Sequence, residues 1–225
     1  MDVQDGWLYI GGAFTHATGG TATSEAYLRG GARFSVTDGT PDRTWNPELN
    51  GTVMSLDASK NGDRTYFAGF FNEAHGVSTD KAAALSTDSS VAVIPWNVMF
   101  SNRTGGRLGY QQAVLEVGNR VWLGGAEHSI VSYNRSNMAL LSSSITKAAA
   151  SYQAGGDFQA LATDGTAVYA SCHCFYSVYA GAKVWPEVGT AWTSVDPIYS
   201  TGAWSASTGQ IISHFNPRLA TSRGA

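Results

Sequence analysis

The sequence predicts an all-β protein made of repeated units of short antiparallel strands. Three observations support this prediction: one strand motif recurs four times, a second aromatic motif with a fixed internal spacing accompanies it in three of the four repeats, and the composition is rich in turn residues. The chain has 225 residues, of which 26 are glycine and 14% are charged, and this balance is typical of turn-rich β-proteins. Helical periodicity is almost absent from the chain.

The first motif is a strand followed by small residues, and it occupies positions 8–14, 65–71, 121–127 and 168–174. Its alternation of apolar residues at period two indicates a strand with at least one packed face. Two adjacent small residues, glycines in the first and third copies, occupy the fourth and fifth positions of the motif and would let another backbone approach closely. The aromatic residues of the four copies lie 57, 56 and 47 residues apart: Tyr9, Tyr66, Trp122 and Tyr169.

The second motif pairs an apolar residue with an aromatic-Asn dipeptide eleven positions later. The third repeat has Tyr133 at the first position but Ser144 at the second, so it lacks this ending. Three copies at one spacing favour a structural repeat over coincidence. The three pairs are Phe34 with Trp45-Asn46, Leu85 with Trp96-Asn97, and Trp204 with Phe215-Asn216.

Each repeat contains sequence for about four strands separated by Asn-Gly or Asp-Gly turns, which favour tight hairpins. Four short antiparallel strands in about 50 residues describe one blade of a β-propeller. The expected fold is therefore a β-propeller of four-stranded antiparallel blades, with about four repeats visible and possibly part of a larger ring. The chain is expected to be a single domain or a fragment of one, with repeats at roughly 1–50, 51–110, 111–155 and 156–225. The first repeat is expected to open at its second strand, as in a piece of a longer protein.

The first repeat resembles the delta-60-type repeats of bacterial β-propellers. The resemblance rests on the run Leu-Tyr-Ile-Gly-Gly-Ala-Phe-Thr at 8–15, on Arg33-Phe34, and on Thr-Trp-Asn-Pro at 44–47. The later repeats follow this pattern with losses. The resemblance implies a propeller in a large extracellular protein, found in actinobacteria or their phages, that serves as a scaffold or binding module. It implies no catalytic residues.

Charge and hydropathy exclude two classes of partner. The chain has 14 basic and 17 acidic residues and a formal net charge of −3, without a basic run. Binding to nucleic acid needs clustered cations, so no nucleic-acid partner is expected. No apolar stretch approaches the roughly 18 residues that a membrane-spanning helix requires, so no membrane span is expected.

The sequence Cys172-His173-Cys174 is the first candidate for site chemistry. On a strand the two thiols share one face, where they could form a disulfide, hold a soft metal or remain free. Zinc usually takes about four ligands, and the chain has no other cysteine, so no metal-binding residue is predicted. No cofactor is expected, and a calcium ion held by aspartates and carbonyl oxygens stays open as an alternative. Four histidines lie at or just beyond the end of the strand in the first motif and could line one rim: His16, His75, His128 and His173.

Most aspartates lie in turn contexts, where the carboxylate bonds its own backbone. This applies to Asp38, Asp42, Asp63, Asp80, Asp88 and Asp164. Glu73, Glu127, Asp157 and Asp196 lie outside such contexts and are the carboxylates considered for acid-base chemistry. A pair of carboxylates at roughly 5 to 10 Å would indicate glycoside hydrolysis.

The segment 175–198 is unusually long for a connection between strands and carries many aromatic residues. These side chains could stack on sugar rings, bind a partner protein or cover their own blade. The candidate ligand-binding residues are Tyr176, Tyr179, Trp185 and Trp192 of this segment, together with Glu127 and His128, which follow the glycine pair of the third repeat.

The function expected from these patterns is a non-enzymatic, extracellular binding, adhesion or scaffold module that contacts a glycan or a surface protein through its loops. One alternative is a component of a phage tail or surface assembly on the virion, packed against further blades or other subunits. Another alternative is a carbohydrate-active enzyme that uses carboxylates on the loop face.

Overall fold

The structure is a computed structural model that describes residues 1–98, 109–126, 128–147, 156–174, 177–180, 195–196 and 198–217. All regular secondary structure in these ranges is β-strand, and every pairing is antiparallel. The prediction of an all-β chain is confirmed. Within the described ranges, no helix has the length and apolar character needed to cross a membrane. The chain divides into two compact units, Met1–Val98 and Met99–Ala225.

The first unit begins with the sheet of the first repeat and an inserted hairpin. Val3 on the first strand pairs with Leu8 on the second, so a strand precedes the Tyr9 strand and the expectation that the repeat opens at its second strand is wrong. The fourth strand is reduced to a single bridge between Phe34 and Pro41. The sheet comprises β1 (Asp2–Gln4), β2 (Trp7–Gly11) and β5 (Gly31–Ser35), and the hairpin comprises β3 (His16–Ala17) and β4 (Ala26–Tyr27).

The second sheet of the first unit has the full set of four strands that the repeat pattern predicts. Its order is β6, β7, β10, β11, with successive strands of the repeat adjacent. A second short hairpin interrupts it at the same place as in the first repeat. The strands are β6 (Val53–Ala58), β7 (Arg64–Gly69), β8 (Glu73–Ala74) and β9 (Val77–Ser78) of the hairpin, β10 (Ala82–Ser86) and β11 (Val93–Ile94).

The second unit contains one sheet from the third repeat and one from the fourth. Its first sheet, in the order β12-β13-β14-β15-β18-β19, gains two strands from the segment predicted to be a long loop. The second sheet has the order β16-β17-β20, with a bridge between Trp204 and Ile211 in place of a fourth strand. The strands are β12 (Gln111–Val117), β13 (Arg120–Gly125), β14 (Ser129–Asn134), β15 (Leu140–Lys147), β16 (Phe158–Thr163), β17 (Ala167–Cys172), β18 (Ser177–Ala180), β19 (Val195–Asp196) and β20 (Thr201–Ser205).

The two sequence motifs meet as ring pairs in three repeats. The aromatic residue of the first motif contacts the aromatic residue that precedes asparagine in the second, at centroid distances of 5.2, 6.2 and 5.1 Å. The third repeat lacks this ring pair because it lacks the second motif. The recurring aromatic residues of the two motifs therefore contact each other within three of the four repeats, through Tyr9 with Trp45, Tyr66 with Trp96, and Tyr169 with Phe215.

The first glycine of the pair allows two sheets of one unit to pack closely. A Cβ added at Gly11 would meet the side chain of Val53 on β6, with its Cβ at 3.0 Å and Leu56 Cδ2 at 3.1 Å. Gly124 repeats this arrangement, since its Cβ would lie 2.8 Å from that of Phe158 on β16. The expected close approach at the glycine pair is thus a contact between the sheets of successive repeats.

We expect Gly11→Ala to destabilise the first unit by about 1–3 kcal/mol, because an added methyl group would overpack the interface with Val53. Gly12→Ala is the matched control, since its Cβ would have only the Phe14 ring nearby, at 3.3 Å, and should have a smaller effect. Urea denaturation followed by far-UV circular dichroism measures both. Equal stabilities for the two variants would contradict the packing role of Gly11.

Candidate functional site

The structure describes only part of the predicted ligand-binding set. His128 is described in full, whereas Tyr179 lies in β18 and only its backbone, opposite Ile145, is described. The other predicted residues lie outside the described residues: Glu127, Tyr176, Trp185 and Trp192. The proposed contacts of the aromatic segment therefore stay predictions.

His128 lies in the tight turn between β13 and β14. Its backbone adopts a left-handed conformation, with φ of 61°. The turn is held from β15, because the Thr146 backbone N–H and hydroxyl both donate to the His128 carbonyl, at 2.9 and 3.0 Å. The imidazole is thus positioned by a fixed backbone and remains partly exposed, with 20% of its side-chain surface accessible.

Asp157, which directly precedes β16, is the partner of this imidazole. Its Oδ1 lies 3.2 Å from His128 Nδ1. Its Oδ2 accepts hydrogen bonds from the Tyr110 hydroxyl at 3.3 Å and the Gln112 amide at 3.4 Å. His173 approaches from β17, where its backbone N–H donates to the Asp157 carbonyl at 3.1 Å. These five residues form the Asp157 cluster, which unites two histidines that the sequence placed at one rim.

The electrostatics of the Asp157 cluster favour an ionised carboxylate. The close approach of the His128 imidazole lowers the pKa of Asp157 most. Burial opposes this shift, and the charge of His128, the Tyr110 hydroxyl and the charge of His173 reinforce it. A carboxylate held in this state can orient an imidazole or accept hydrogen bonds from a ligand. It is a poor proton donor, because a general acid needs a raised pKa.

Cys172 and Cys174 are joined as a disulfide across His173. Both cysteines are buried, in the apolar cluster that also contains Phe158 and Trp204. Of the three states left open by the sequence, the structure has the disulfide. The residue between the cysteines, His173, instead lies beside Gln159, with 3.0 Å between His173 Nε2 and Gln159 Nε2.

Metal ligation finds little support in the described part of the chain. No group of three or more His, Cys, Asp or Glu side chains there is arranged to hold a metal ion. Since Glu127 and much of the segment 175–198 lie outside the described residues, calcium binding stays a prediction.

The turn role predicted for the aspartates is confirmed at four positions. In each, Oδ1 accepts the backbone N–H two residues later, at 2.8 to 3.0 Å. Hydrogen bonds lower the pKa of each carboxyl group, whereas burial acts in the opposite direction and is the largest single influence only for Asp42. The four residues stabilise turns and are thereby accounted for without catalysis: Asp38, Asp42, Asp88 and Asp164.

A second candidate site lies in the first unit, in an open concavity of about 700 Å³. It combines one indole with hydroxyl, carboxylate and guanidinium groups. We name it the Trp7 cleft after its aromatic residue, and its polar lining includes Thr21, Ser24, Asp38, Thr40 and Arg43. Its volume falls within the range of about 300–1,000 Å³ that is typical of small-molecule sites.

The wall of the Trp7 cleft is a polar loop tied to the neighbouring turn. The Thr21 backbone N–H donates to the Thr40 hydroxyl at 3.0 Å, and the two hydroxyls lie 3.1 Å apart. Arg43 secures the same loop, because its guanidinium donates to the Ser24 carbonyl, to the Ser24 hydroxyl at 2.9 Å and to the Glu25 carbonyl at 3.3 Å. The cleft is therefore formed before any ligand binds.

Trp7 itself is held by a buried cation. The Arg33 guanidinium carbon lies 4.6 Å from the centre of the Trp7 ring and 5.4 Å from that of Trp45. Asp42 fixes Arg33 in place, with its Oδ2 accepting from Nη2 at 2.7 Å and from Nε at 2.9 Å. A stacked guanidinium restrains the indole ring, so the cleft has a rigid aromatic wall.

Sequence reasoning missed the Trp7 cleft. A signal was present, because the loop 18–25 contains six Gly, Thr or Ser residues in a stretch that the later repeats do not carry. Trp7 immediately precedes the first motif, at a position where the second and third repeats have arginine. These differences from the repeat pattern mark the place where the first repeat is specialised.

Known proteins give no independent guide to this site. No protein-family model matches the chain, and no curated protein matches it. The resemblance to delta-60-type propeller repeats therefore rests on the motif residues alone.

Proposed function

We propose that this chain is a non-enzymatic binding module with β-propeller architecture that contacts glycans through the Trp7 cleft. The observation that carries the proposal is the combination in one preformed concavity of a restrained indole with Ser, Thr, Asp and Arg side chains. A sugar ring offers an apolar C–H face and a rim of hydroxyls. The indole suits the face, and the polar groups suit the rim.

The propeller part of the proposal rests on the repeats. Each of the four contributes one main antiparallel sheet, and the strands of that sheet follow one another in chain order apart from inserted strands. Aromatic pairs at equivalent places close three of them, and glycines at equivalent places allow close packing of the sheets within each unit. Blades of a propeller have these properties, and further repeats or another subunit would complete the ring.

An extracellular or virion-surface location belongs to the same proposal. The disulfide between Cys172 and Cys174 supports it, because disulfides persist in oxidising compartments and are rare in the cytosol of most organisms. Attachment to a glycan-coated surface would be the biological use of the module.

The lowered pKa values of the described carboxyl groups favour a binding function over glycoside hydrolysis. A glycosidase needs one carboxylic acid with a raised pKa to protonate the leaving group. Every described carboxyl group with a clearly shifted pKa is shifted downward, including Asp157 and the cleft residues Asp38 and Asp42. These groups are suited to accept hydrogen bonds from sugar hydroxyls.

We expect Trp7→Ala to weaken glycan binding about tenfold or more, because aromatic anchors at such sites typically contribute about 2 kcal/mol or more. A glycan array identifies a ligand, and isothermal titration calorimetry measures its affinity for both proteins. Thermal unfolding of the variant shows whether loss of the Arg33 contact also destabilises the unit.

Tyr27→Ala is the matched control, since Tyr27 is an aromatic residue of the same unit that is 49% exposed and lies outside the cleft. Its affinity should equal that of the unmodified chain. If Trp7→Ala retains binding while Trp185→Ala or Trp192→Ala abolishes it, the cleft is not the site and the aromatic segment is.

A further inference from the structure

Arg120, the first residue of β13, lies in a second concavity, within the second unit. This pocket has a volume of about 440 Å³ and lies at the turn ends of the two sheets. Its polar lining includes Asn119, Arg120, Asn134 and Ser207, and Leu141 adds an apolar side chain. It contains none of the residues of the Asp157 cluster.

Two hydrogen bonds anchor the guanidinium of Arg120, and its Nη2 donates to no described residue. Its Nε donates to the Ser207 carbonyl at 2.9 Å, and Nη1 donates to the Ser132 hydroxyl at 2.8 Å. A guanidinium carries five N–H donors, so these two bonds leave three without an acceptor among the described residues. The anchoring bonds fix the plane of the group, and the remaining donors are available to a ligand.

The charge of Arg120 is also uncompensated within the described part of the chain. Arg64 occupies the same place at the start of β7 and pairs with Asp63 at 2.9 Å, whereas Arg120 has neutral partners only. Burial accordingly lowers the pKa of Arg120, since no carboxylate offsets the cost of desolvation. A partly buried cation without a counter-charge favours an anion from solution.

We propose that the Arg120 pocket binds an oxyanion group, namely the carboxylate or sulfate of an acidic saccharide. A planar guanidinium forms paired hydrogen bonds with such groups, and charge assistance makes these bonds roughly twice as strong as neutral ones. The amides of Asn119 and Asn134 and the Ser207 hydroxyl supply neutral groups for sugar hydroxyls beside the anion. This pocket shares no lining residue with the Trp7 cleft, so an experiment can contradict either proposal without affecting the other.

The test is a titration of the full chain, labelled with ¹⁵N, at constant ionic strength. Three probes are compared: glucuronic acid, glucose and inorganic sulfate. We expect glucuronic acid to shift the Arg120 Nε resonance and nearby amides in a saturable way, and glucose to leave them unchanged. Arg120→Gln should weaken glucuronic acid binding about tenfold or more, as loss of a charge-assisted hydrogen bond predicts.

A second variant separates binding from folding. Arg120→Lys keeps the charge and should retain weakened binding, while Trp7→Ala should bind glucuronic acid at this pocket as the unmodified chain does. Saturable binding of glucuronic acid more tightly than sulfate supports the saccharide source. Equally strong binding of sulfate would contradict the saccharide source and indicate a site for free anions. Identical affinities of Arg120→Gln and the unmodified chain for glucuronic acid would contradict binding at this pocket.

Discussion

Truncation of Trp45 to alanine is expected to destabilise the first unit by about 3–5 kcal/mol, the range measured when buried Trp or Phe side chains are truncated. The indole is fully buried and contacts rings on both sides. It meets Tyr9 of its own repeat edge-to-face at 5.2 Å and Phe67 of the next repeat at 6.2 Å. Its Nε1–H donates to the Ser86 carbonyl on β10 at 3.0 Å. One side chain therefore joins two sheets of the unit.

Urea denaturation at pH 7, followed by far-UV circular dichroism, measures this effect. Trp45→Phe should lower the free energy of unfolding less than Trp45→Ala, because a ring remains in the core. It should still destabilise the unit, because the Ser86 carbonyl loses its donor. Tyr27→Ala serves as the control for removal of an aromatic residue, since its side chain is half exposed and the change should cost less than about 1 kcal/mol. A loss below about 1 kcal/mol for Trp45→Ala would contradict its role as the link between the sheets.

The repeat pattern predicted the strands well because its residues perform the same physical task in each copy. The aromatic residues of the two motifs form the Tyr9–Trp45 contact and its equivalents, and the glycine pair corresponds to close packing between sheets. Periodicity of two and the turn glycines then located most strands. The sequence also indicated that Asp38 and Asp164 belong to turns, since this preference is local to the chain.

The sites were harder to predict because they depend on residues that are distant in sequence. Asp157 accepts a hydrogen bond from Tyr110, which lies 47 residues earlier in the chain. The Trp7 cleft forms where hydrogen bonds join a loop to a turn. The extra strands β18 and β19 also escaped prediction, because pairing to the edge of β15 is a tertiary event. Local propensity contains little information about such contacts.

The second large effect concerns the buried ion pair beneath the Trp7 cleft. Arg33 and Asp42 are only 10% and 12% exposed at their side chains, and Arg33 also donates to the Thr87 carbonyl at 2.6 Å. Removing one partner leaves the other as an unpaired buried charge, which typically lowers the free energy of unfolding by about 3–5 kcal/mol. We therefore expect Asp42→Ala to destabilise the first unit by this amount.

Two further variants identify the cause of that loss. Asp38→Ala removes an equivalent turn bond to the Thr40 N–H without breaking an ion pair, and we expect it to cost only about 1 kcal/mol. The double variant Arg33→Met/Asp42→Ala should be more stable than Asp42→Ala alone, because no unpaired cation remains. A double variant less stable than Asp42→Ala would show that Arg33 stabilises the unit mainly through its ring and backbone contacts.

The same pair sets a pH dependence whose sign follows from Asp42. Burial alone would raise its pKa, but hydrogen bonds from Thr44 and the interaction with Arg33 hold it below the ordinary value of 3.8. The stabilisation is therefore complete above that ordinary value and is lost as pH falls through the lower value of the folded state. Urea midpoints of the unmodified chain and Asp42→Asn should differ at pH 7 and converge as the pH falls below 3.8. A difference that stays constant over this range would mean that the charge of Asp42 contributes nothing to stability.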